Sequence, residues 1–445
     1  MLYRYIVENF MSFKDRGELS MFPLLGEVEG HLIDSPSGHP VLKAAVIYGA
    51  NAAGKSSLIK SMNFARSFIL KNDRLNAVSS PCYKLDKEFL CAPSQFCFEM
   101  KIGDKIYQYG FWVQFSTAKV MEEWLYELTA DTCFFHRKRE EDVLITQEIY
   151  PDMGKEEVMR LDFYEEELEF QDEKLLLSRL GPLTYGKSPF WEAVRAVWNW
   201  FRELRIVFPD TRFNLLSAVI DDEVKVNQLY QTYFRIFGID IDNIHLNQVP
   251  VELLRIDPDT LADIRKDLLS AEDEKGRKGM LNLHGKEYLL EVNKYGELKA
   301  QEVKFRYRKN WQVADFSKDE ESDGTQRLFD LIPALARLIS QGGVLVIDNI
   351  DISLHTLLTR EILRKFLVQG SDMNGQLVCT THDVKLLDLS LLRADEIWFV
   401  QKDRHASSKL YPLVQYQVEY PENVEVNYLT GLYKGTPVFK DKEWR

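Results

Sequence analysis

The chain has the length and composition of a folded protein, which excludes several other classes. Its 445 residues are 45% hydrophobic and 28% charged, so the sequence is neither disordered nor fibrous. The formal net charge of -13 repels phosphate on average, which argues against a protein whose main task is to coat nucleic acid. A local basic groove is still compatible with that charge.

The sequence also lacks the features of a secreted or membrane-spanning protein. Its five cysteines are odd in number and show no metal-ligand spacing, which indicates reduced thiols. No apolar run approaches the roughly 20 residues that cross a bilayer, and the first residues lack the pattern of a signal peptide. We therefore expect a cytoplasmic protein without a membrane contact.

The first part of the chain, residues 1–125, has the pattern of strands around one helix. Residues 46–48 form a short apolar run that stops at a glycine, as a buried strand would. Residues 56–70 repeat apolar side chains at helical spacing, which predicts an amphipathic helix. Alternating apolar residues at 96–102 and 107–113 flank a Gly-Asp turn and predict a β-hairpin.

The rest of the chain divides into an insertion at 126–305, a second α/β stretch at 306–400 and a tail at 401–445. In the insertion, the Trp-rich residues 192–208 and the residues 259–272 each predict a helix. Strands alternate with helices beyond residue 306, which predicts a largely parallel sheet. These elements are a helix at 325–340 with an expected kink at Pro333, a strand at 344–347, a helix at 357–367, and strands at 376–380 and 396–400. The basic runs at 137–139 and 304–309 are interpreted as solvated faces.

A phosphate-binding loop follows the strand predicted at 46–48. Residues 49–56 read Gly-Ala-Asn-Ala-Ala-Gly-Lys-Ser and fit G-x-x-x-x-G-K-[ST], with a strand before and a helix after. The glycines let successive backbone N–H groups turn toward phosphates, and the helix adds the positive end of its dipole. Lys55 can reach the β- and γ-phosphates, and the Ser56 hydroxyl can coordinate magnesium. The predicted ATP-binding residues here are Gly49, Asn51, Gly54, Lys55, Ser56 and Ser57.

The second half of the site needs a carboxylate, because a phosphate loop alone neither holds magnesium nor hydrolyses ATP. Residues 344–348 are four apolar residues followed by an acid, which makes Asp348 the predicted magnesium ligand. A long insertion then separates the two halves of one site.

Two further motifs flank this strand in the sequence. Residues 322–325, Ser-Asp-Gly-Thr, open a predicted helix, and such a helix N-terminus binds anions. Residues 380–383, Thr-Thr-His-Asp, end a predicted strand and place His382 beside it. Taken alone, an ordinary N-cap and a loop histidine explain these residues at least as well as function does. Their order relative to the phosphate loop and Asp348 favours function.

This order of motifs resembles the ABC/SMC/OLD branch of ATPases. More narrowly, the chain is similar to the AAA-family ATP-binding proteins of bacterial abortive-infection and phage-defence operons. The resemblance covers most of the chain, and its specific parts are the phosphate loop and the block at 348–355. It implies an α/β fold, an ABC/SMC-like P-loop ATPase head with a mixed, partly helical insertion domain. The suggestive parts are residues 7–13, 122–127, 380–383 and 427–437.

The resemblance also implies partners and roles for single residues. ATP would be held between the two heads of a homodimer, or of a larger homo-oligomer. Ser322, Gly324 and Thr325 of one chain would cap the γ-phosphate held by the other chain, and His382 would sense that phosphate. A glutamine of the first lobe would contact magnesium, and Gln95, just before a predicted strand, is the candidate.

The sequence departs from the proteins it resembles at residue 349. Those proteins usually carry Asp-Glu at the end of this strand, where the glutamate accepts a proton from the attacking water. Here the pair is Asp348-Asn349, and an amide has no basic site at neutral pH. Losing a general base costs about 10²- to 10⁴-fold in rate. The candidate catalytic residues are therefore Asn349, as a water-orienting amide, and Asp351 or His382 as a replacement base, unless Asn349 merely caps a loop.

Two functional hypotheses remain. In the first, the chain is a slowly hydrolysing ATP-dependent switch or scaffold in bacterial anti-phage defence. A resemblance to OLD-type nucleases would place a nuclease domain after Asp383, but no acidic metal cluster follows, so we expect a separate nuclease or toxin from the same operon. In the second, it is an SMC-like DNA repair or maintenance ATPase that binds duplex DNA. The acidic balance, the lack of a coiled-coil pattern and the resemblance of the tail favour the first.

Overall fold

The computed structural model describes most of the chain, in two compact units. The described residues are 1–26, 30–33, 40–71, 81–140, 143–147, 153–169, 173–184, 186–211, 223–269, 278–293, 295–369, 374–416, 418 and 421–436. The first unit consists of Met1–Pro209, Leu338–Asp351 and Ile362–Arg445, and the second of Asp210–Arg337 and Ile352–Glu361.

The first unit contains fifteen of the strands and five of the helices that lie in the described residues. Its strands are β1 (Leu2–Glu8), β2 (Gly17–Ser20), β3 (Leu32–Ile33), β4 (Val41–Leu42), β5 (Ala44–Tyr48), β6 (Ser94–Ile102), β7 (Lys105–Gln114), β8 (Lys119–Glu127), β9 (Thr132–Glu140), β10 (Val143–Gln147), β11 (Arg205–Val207), β17 (Gly343–Ile347), β18 (Gly375–Thr380), β19 (Ile397–Lys402) and β20 (Ser408–Pro412). Its helices are α1 (Lys55–Lys71), α2 (Lys155–Glu169), α3 (Leu176–Leu180), α4 (Pro189–Glu203) and α9 (Val424–Leu429).

The second unit contains β12 (Asn243–Val249), β13 (Lys278–Leu283), β14 (Lys286–Val292), β15 (Leu298–Lys309), β16 (Gln312–Ser317), α5 (Glu223–Ile236) and α6 (Pro258–Leu269). Two longer helices, α7 (Asp323–Gln341) and α8 (Thr356–Gln369), have residues in both units. Single-turn 3₁₀ helices lie at Glu88–Leu90, Val251–Leu254, Lys318–Glu320, Val384–Leu386, Leu413–Tyr416 and Pro421–Asn423.

A six-stranded sheet forms the centre of the first unit, in the order β11-β17-β18-β5-β19-β20. Its strands are parallel except for β20, which runs antiparallel to β19. The predicted parallel sheet is therefore confirmed, and with it the α/β class. Because parallel strands share their carboxyl edge, the residues that follow β5, β17 and β18 emerge side by side.

A seven-stranded antiparallel sheet accompanies it, in the order β10-β9-β8-β7-β6-β1-β2. The predicted hairpin is confirmed as β6 and β7, which pair across the Gly-Asp turn. The strands β8, β9 and β10 continue the same sheet beyond residue 125.

Helix α1 packs into a core to which both of these sheets contribute side chains. The predicted apolar face is confirmed, since the side chains that form it are all buried: Leu58, Ile59, Met62, Ala65 and Ile69. Truncating a buried leucine or methionine to alanine costs about 2–5 kcal/mol, so this face fixes the start of α1 firmly.

The helix predicted at 192–208 is wrong at its carboxyl end. Helix α4 begins earlier, with Pro189 in its first turn, and ends at Glu203. Leu204 is extended and the next residues form β11, which pairs in parallel with β17. The β-branched residues Ile206 and Val207 favour that strand, and a sheet partner distant in sequence completes it.

The prediction of solvated basic runs is wrong at Arg137. Its side chain is 2% exposed and its guanidinium donates to Glu123, which is fully buried, over 2.9 Å. The same carboxylate accepts hydrogen bonds from the Tyr109 hydroxyl and from the N–H groups of Leu176 and Leu177 at the start of α3. The ion pair thus ties the antiparallel sheet to a helix.

An antiparallel sheet forms the centre of the second unit, in the order β12-β15-β14-β13, with β16 also paired to β15. The side chains of its basic run at 304–309 lie partly in ion pairs, such as Arg306 with Asp315. Nearby, the buried Lys318 ammonium contacts two buried carboxylates, Glu287 and Asp330. The helix predicted at 259–272 is confirmed up to Leu269 as α6, which begins at Pro258, and residues 270–272 lie outside the described residues.

The later predicted elements are confirmed as α7, β17, α8, β18 and β19. Pro333 lies inside α7, and the kink expected there stays a prediction. In the part of the chain that the structure describes, no helix is both long and apolar enough to cross a membrane.

Candidate functional site

The loop that follows β5 has a backbone that only glycine permits at two places. Gly54 has φ 119°, and a Cβ there would collide with the Ser408 hydroxyl. At Gly49 a Cβ would collide with the carbonyl oxygen of Val400 on the neighbouring strand β19. Glycine at these two positions therefore lets the loop pack closely against β19 and Ser408 in a conformation that other residues would not allow.

Residues far away in sequence hold the loop in place. The Ser408 hydroxyl donates to the Ala53 carbonyl over 2.6 Å, so its 2.8 Å contact with Ser12 is one in which Ser12 donates. The Ala50 N–H donates to the Gly435 carbonyl over 2.7 Å. Neither Ser408 nor Gly435 was predicted as a site residue, although Gly435 lies in the stretch 427–437 that carries part of the resemblance.

Lys55, the first residue of α1, lies beneath this loop. Its side chain is 4% exposed, and the ammonium donates to the carbonyls of Gly49 and Ala50 over 2.6 and 3.2 Å. Burial lowers the pKa of Lys55 to about 8, although Asp348 and Asp351 nearby act to raise it. The cation is thus held in place by neutral carbonyls and nearby acids, ready to meet an anion.

His382, which follows β18, lies directly beside this lysine. The Lys55 Nζ and His382 Nδ1 atoms are 3.3 Å apart. Burial lowers the pKa of His382, and the charge on Lys55 lowers it further. At neutral pH the pair is therefore an ammonium next to a neutral imidazole, which can accept a hydrogen bond from it.

Asp348 lies at the end of β17, two strands from β5. Its carboxylate is 3% exposed and accepts the Thr380 hydroxyl at Oδ1 over 2.7 Å. Asn349 follows with φ 51°, a left-handed conformation that asparagine tolerates better than most residues. The backbone N–H of Asn349 donates to the same Thr380 hydroxyl over 2.7 Å.

Asp351 completes this group of side chains. Its carboxylate accepts the backbone N–H of His382 at 3.3 and 3.4 Å, and it interacts electrostatically with Lys55. The structure therefore brings together Lys55, Asp348, Asp351 and His382, which we name the Lys55 cluster. Ser56 and Ser57 lie in the first turn of α1, and Asn51 is exposed in the loop.

Gln95, a predicted magnesium ligand, lies apart from these contacts. It is in β6 of the antiparallel sheet, opposite Glu8 and Trp112. Among the described residues its side chain makes no hydrogen bond to the phosphate loop or the Lys55 cluster.

The three predicted capping residues lie together in the second unit. The Ser322 hydroxyl accepts the Thr325 N–H at 3.2 Å and is 2.9 Å from the Thr325 hydroxyl, so it is an N-cap of α7. A Cβ on Gly324 would lie 3.0 Å from the Ser353 carbonyl oxygen, which explains a glycine there. Ser322 itself is exposed.

The donor set suits magnesium and ATP. The Ser56 hydroxyl and the Asp348 carboxylate are hard oxygen ligands, which magnesium prefers. Within the described residues no three histidines, cysteines or acids are grouped to hold a metal by themselves. Magnesium in nucleotide sites commonly uses one or two protein ligands and takes the rest from phosphate and water.

Comparisons with known proteins agree with this chemistry. Residues 182–388 match the family model described as "AAA domain, putative AbiEii toxin, Type IV TA system". That range includes Asp348, Asn349 and His382 but not the phosphate loop. No curated protein matches the sequence.

Two solved structures are similar over nearly their whole length. The SMC head domain from Thermotoga maritima has 11% sequence identity and a TM-score of 0.37, over 92% of this chain and 98% of that chain. An SmcHead bound to the C-winged helix domain of ScpA has 12% identity and a TM-score of 0.39, over 94% of this chain and 99% of that chain. Both TM-scores are below 0.5, and the fold of this chain is defined by its own strand order.

The family match and the strand order bear on the class of protein. The match over residues 182–388 supports the predicted resemblance to an AAA-type ATPase, and the central parallel sheet has the α/β architecture which that resemblance implies. The name of the family model suggests, more narrowly, the abortive-infection type.

Proposed function

We propose that this chain is an ATP-dependent switch that binds ATP with magnesium, hydrolyses it slowly and controls a separate effector in anti-phage defence. The observation that carries the proposal is the Lys55 cluster. It joins the loop after β5 to the residues after β17 and β18: hydrogen bonds link His382 to Lys55 and to Asp351, and Asp348 acts on Lys55 through its charge. A site with one buried lysine, two acids and a histidine at the carboxyl edge of a parallel sheet fits a triphosphate with its metal ion.

The phosphate loop would bind the triphosphate through its backbone. Backbone N–H groups of the loop and the N-terminus of α1 would supply the donors, and the glycines give the loop the backbone angles that this requires. Lys55 would exchange its bonds to the Gly49 and Ala50 carbonyls for bonds to phosphate oxygens. His382 would accept a hydrogen bond from Lys55 and stay neutral while doing so.

Ser56 and Asp348 would hold the magnesium ion, and the ion would neutralise charge on the phosphates. Thr380 leaves one oxygen of Asp348 without a hydrogen-bond partner among the described residues, so that oxygen is available.

Turnover should be slow because residue 349 carries an amide where a base is expected. Asn349 can orient water, but it cannot take a proton from it at neutral pH. Asp351 is a weaker substitute, because its carboxylate already accepts the His382 N–H. Slow hydrolysis lets the ATP-bound state persist, which suits a switch better than a motor.

The ATP-bound state would be a dimer of heads. Ser322, Gly324 and Thr325 present the N-terminus of α7, and Ser322 is exposed and available to a second chain. A helix N-terminus of this kind would attract the γ-phosphate held by that chain. The defence role takes its support from the description of the matched family model, which names a toxin and a toxin–antitoxin system.

The proposal is tested by weighing the purified chain in solution with and without magnesium and ATP. We expect ATP to double the mass of the parent and of Lys60→Ala, whose side chain is exposed on α1, but not of Lys55→Ala. Co-purified operon neighbours should bind or leave when ATP is added. The DNA-maintenance hypothesis would be favoured by two results together. The mass would not change when ATP is added, and the chain would bind duplex DNA in an ATP-dependent manner that weakens steeply with salt.

A further inference from the structure

Thr380 occupies a place in the sheet that the proposed roles leave unexplained. It is the last residue of β18, which lies between β17 and β5 in the strand order. Its backbone pairs with Ile47 of β5, just before the phosphate loop, and its side chain is fully buried. Its hydroxyl reaches the other way, to the residues that follow β17.

The direction of each hydrogen bond at this hydroxyl is fixed by chemistry. The Asn349 N–H can only donate, so Thr380 Oγ1 accepts from it over 2.7 Å. A hydroxyl has a single hydrogen, and the ionised Asp348 carboxylate can only accept, so that hydrogen goes to Asp348 Oδ1 over 2.7 Å. The Asn349 side-chain oxygen lies 3.5 Å from the same hydroxyl.

The Thr380 backbone adds a third contact to the same turn. Its carbonyl accepts the Ile350 N–H over 3.0 Å. One residue therefore fixes the acid at 348, the left-handed residue at 349 and the backbone at 350. Without the hydroxyl, Asp348 would lose a charge-assisted hydrogen bond, and the Asn349 N–H would lose its acceptor.

We propose that Thr380 is a positioning residue that sets the Asp348 carboxylate and the turn at Asn349 as one unit for magnesium-dependent binding of ATP. It touches neither metal nor nucleotide and acts through Asp348. This inference rests on the proposed function of the site. The tested property is the magnesium requirement, because the phosphate loop binds ATP without help from Thr380.

The experiment compares Thr380→Val, which keeps the shape of the side chain, with Thr380→Ser, which keeps the hydroxyl. Thr359→Val is the matched control, because the Thr359 hydroxyl is also buried but has no hydrogen-bond partner among the residues that the structure describes. ATP affinity is measured by calorimetry across a magnesium titration and again in EDTA. Changes in residues that orient metal ligands typically cost about 10- to 100-fold in metal affinity.

We expect Thr380→Val to need about 10- to 100-fold more magnesium for half-maximal effect, while its affinity for ATP in EDTA matches the parent. Thr380→Ser and Thr359→Val should stay close to the parent in both conditions. If Thr380→Val does not fold, Thr380→Ala takes its place as the variant without a hydroxyl.

Two results would overturn the inference. One is a magnesium requirement of the hydroxyl-free variant equal to that of the parent. The other is a defect in Thr380→Ser as large as in Thr380→Val, since packing of the methyl group would then be the cause. A parent chain that binds no ATP at all would instead refute the proposed function.

Discussion

Raising the pH above 8 should weaken ATP binding, because Lys55 then loses its proton. An unperturbed lysine has a pKa near 10.4 and would stay charged throughout the usual range. Burial lowers the pKa of Lys55 to about 8 in the free protein, against the opposing influence of Asp348 and Asp351. Only the protonated amine carries the positive charge that attracts phosphate, so the binding-competent form is depleted above that pH.

The size of the effect follows from this shift. Phosphate next to the ammonium favours its charged form and raises the pKa of Lys55 in the complex. Between the free and the bound pKa, affinity falls by up to about tenfold per pH unit. From pH 7 to pH 9.5 the dissociation constant should therefore rise about thirtyfold.

Calorimetry of ATP binding at half-unit steps between pH 7 and 9.5 measures this slope. Lys55→Arg is the control, because a guanidinium keeps its proton across this range and its affinity, even if lower, should not follow the same slope. The control also corrects for any effect of pH on the nucleotide or on other groups. An affinity of the parent that is flat from pH 7 to 9.5 would refute the assignment of Lys55 as the buried phosphate-binding cation.

Three further substitutions test the roles of single residues. Asn349→Glu should raise ATP turnover at least about tenfold if a missing base limits it, whereas Asn349→Gln, of equal length but without a basic site, should not. Ser322→Arg should prevent the ATP-induced doubling of mass while monomers still bind ATP, and Ser322→Ala should only lose the N-cap, which is worth about 1 kcal/mol. Arg137→Met should lower the free energy of unfolding by about 3–5 kcal/mol, because it leaves the buried Glu123 carboxylate without its ion pair. Lys138→Met, on an exposed neighbour, should change it by less than about 0.5 kcal/mol.

Each of these predictions has an outcome that contradicts it. Turnover of Asn349→Glu equal to that of Asn349→Gln would mean that another group serves as the base. Loss of both dimerisation and ATP binding in Ser322→Arg would remove the capping of a second chain as the explanation. Equal denaturation midpoints for Arg137→Met and Lys138→Met would show that the buried ion pair contributes nothing to stability.

The elements with a strong local pattern could be predicted from the sequence. Gly49, Gly54 and Lys55 match the phosphate-loop motif, which identified the loop. The spacing of apolar residues after it predicted helix α1. Asp348 followed from an apolar run that ends in an acid. In each case the information lies within about ten residues, where helical or strand periodicity and turn chemistry act directly.

What could not be predicted depends on contacts between distant residues. Arg137 reads as part of a basic run, and only the pairing of β8 with β9 places it against Glu123. Residues 204–208 continue the Trp-rich helix in composition, yet residues 205–207 form β11 because they pair with the edge of β17. Ser408 lies in no motif, and the motifs that contain Thr380 and Gly435 gave these two residues no role, since the importance of all three comes from atoms that they contact far away in sequence.

The central claim is that the loop after β5 and the acid after β17 hold one triphosphate and its metal ion. The most direct measurement is calorimetry of ATP with the parent, Lys55→Ala and Asp348→Ala, each with magnesium and each in EDTA. We predict that Lys55→Ala loses binding in both conditions, whereas Asp348→Ala keeps the affinity in EDTA and loses only the gain from magnesium. Parent-like affinity in Lys55→Ala, or a full magnesium gain in Asp348→Ala, would contradict the claim.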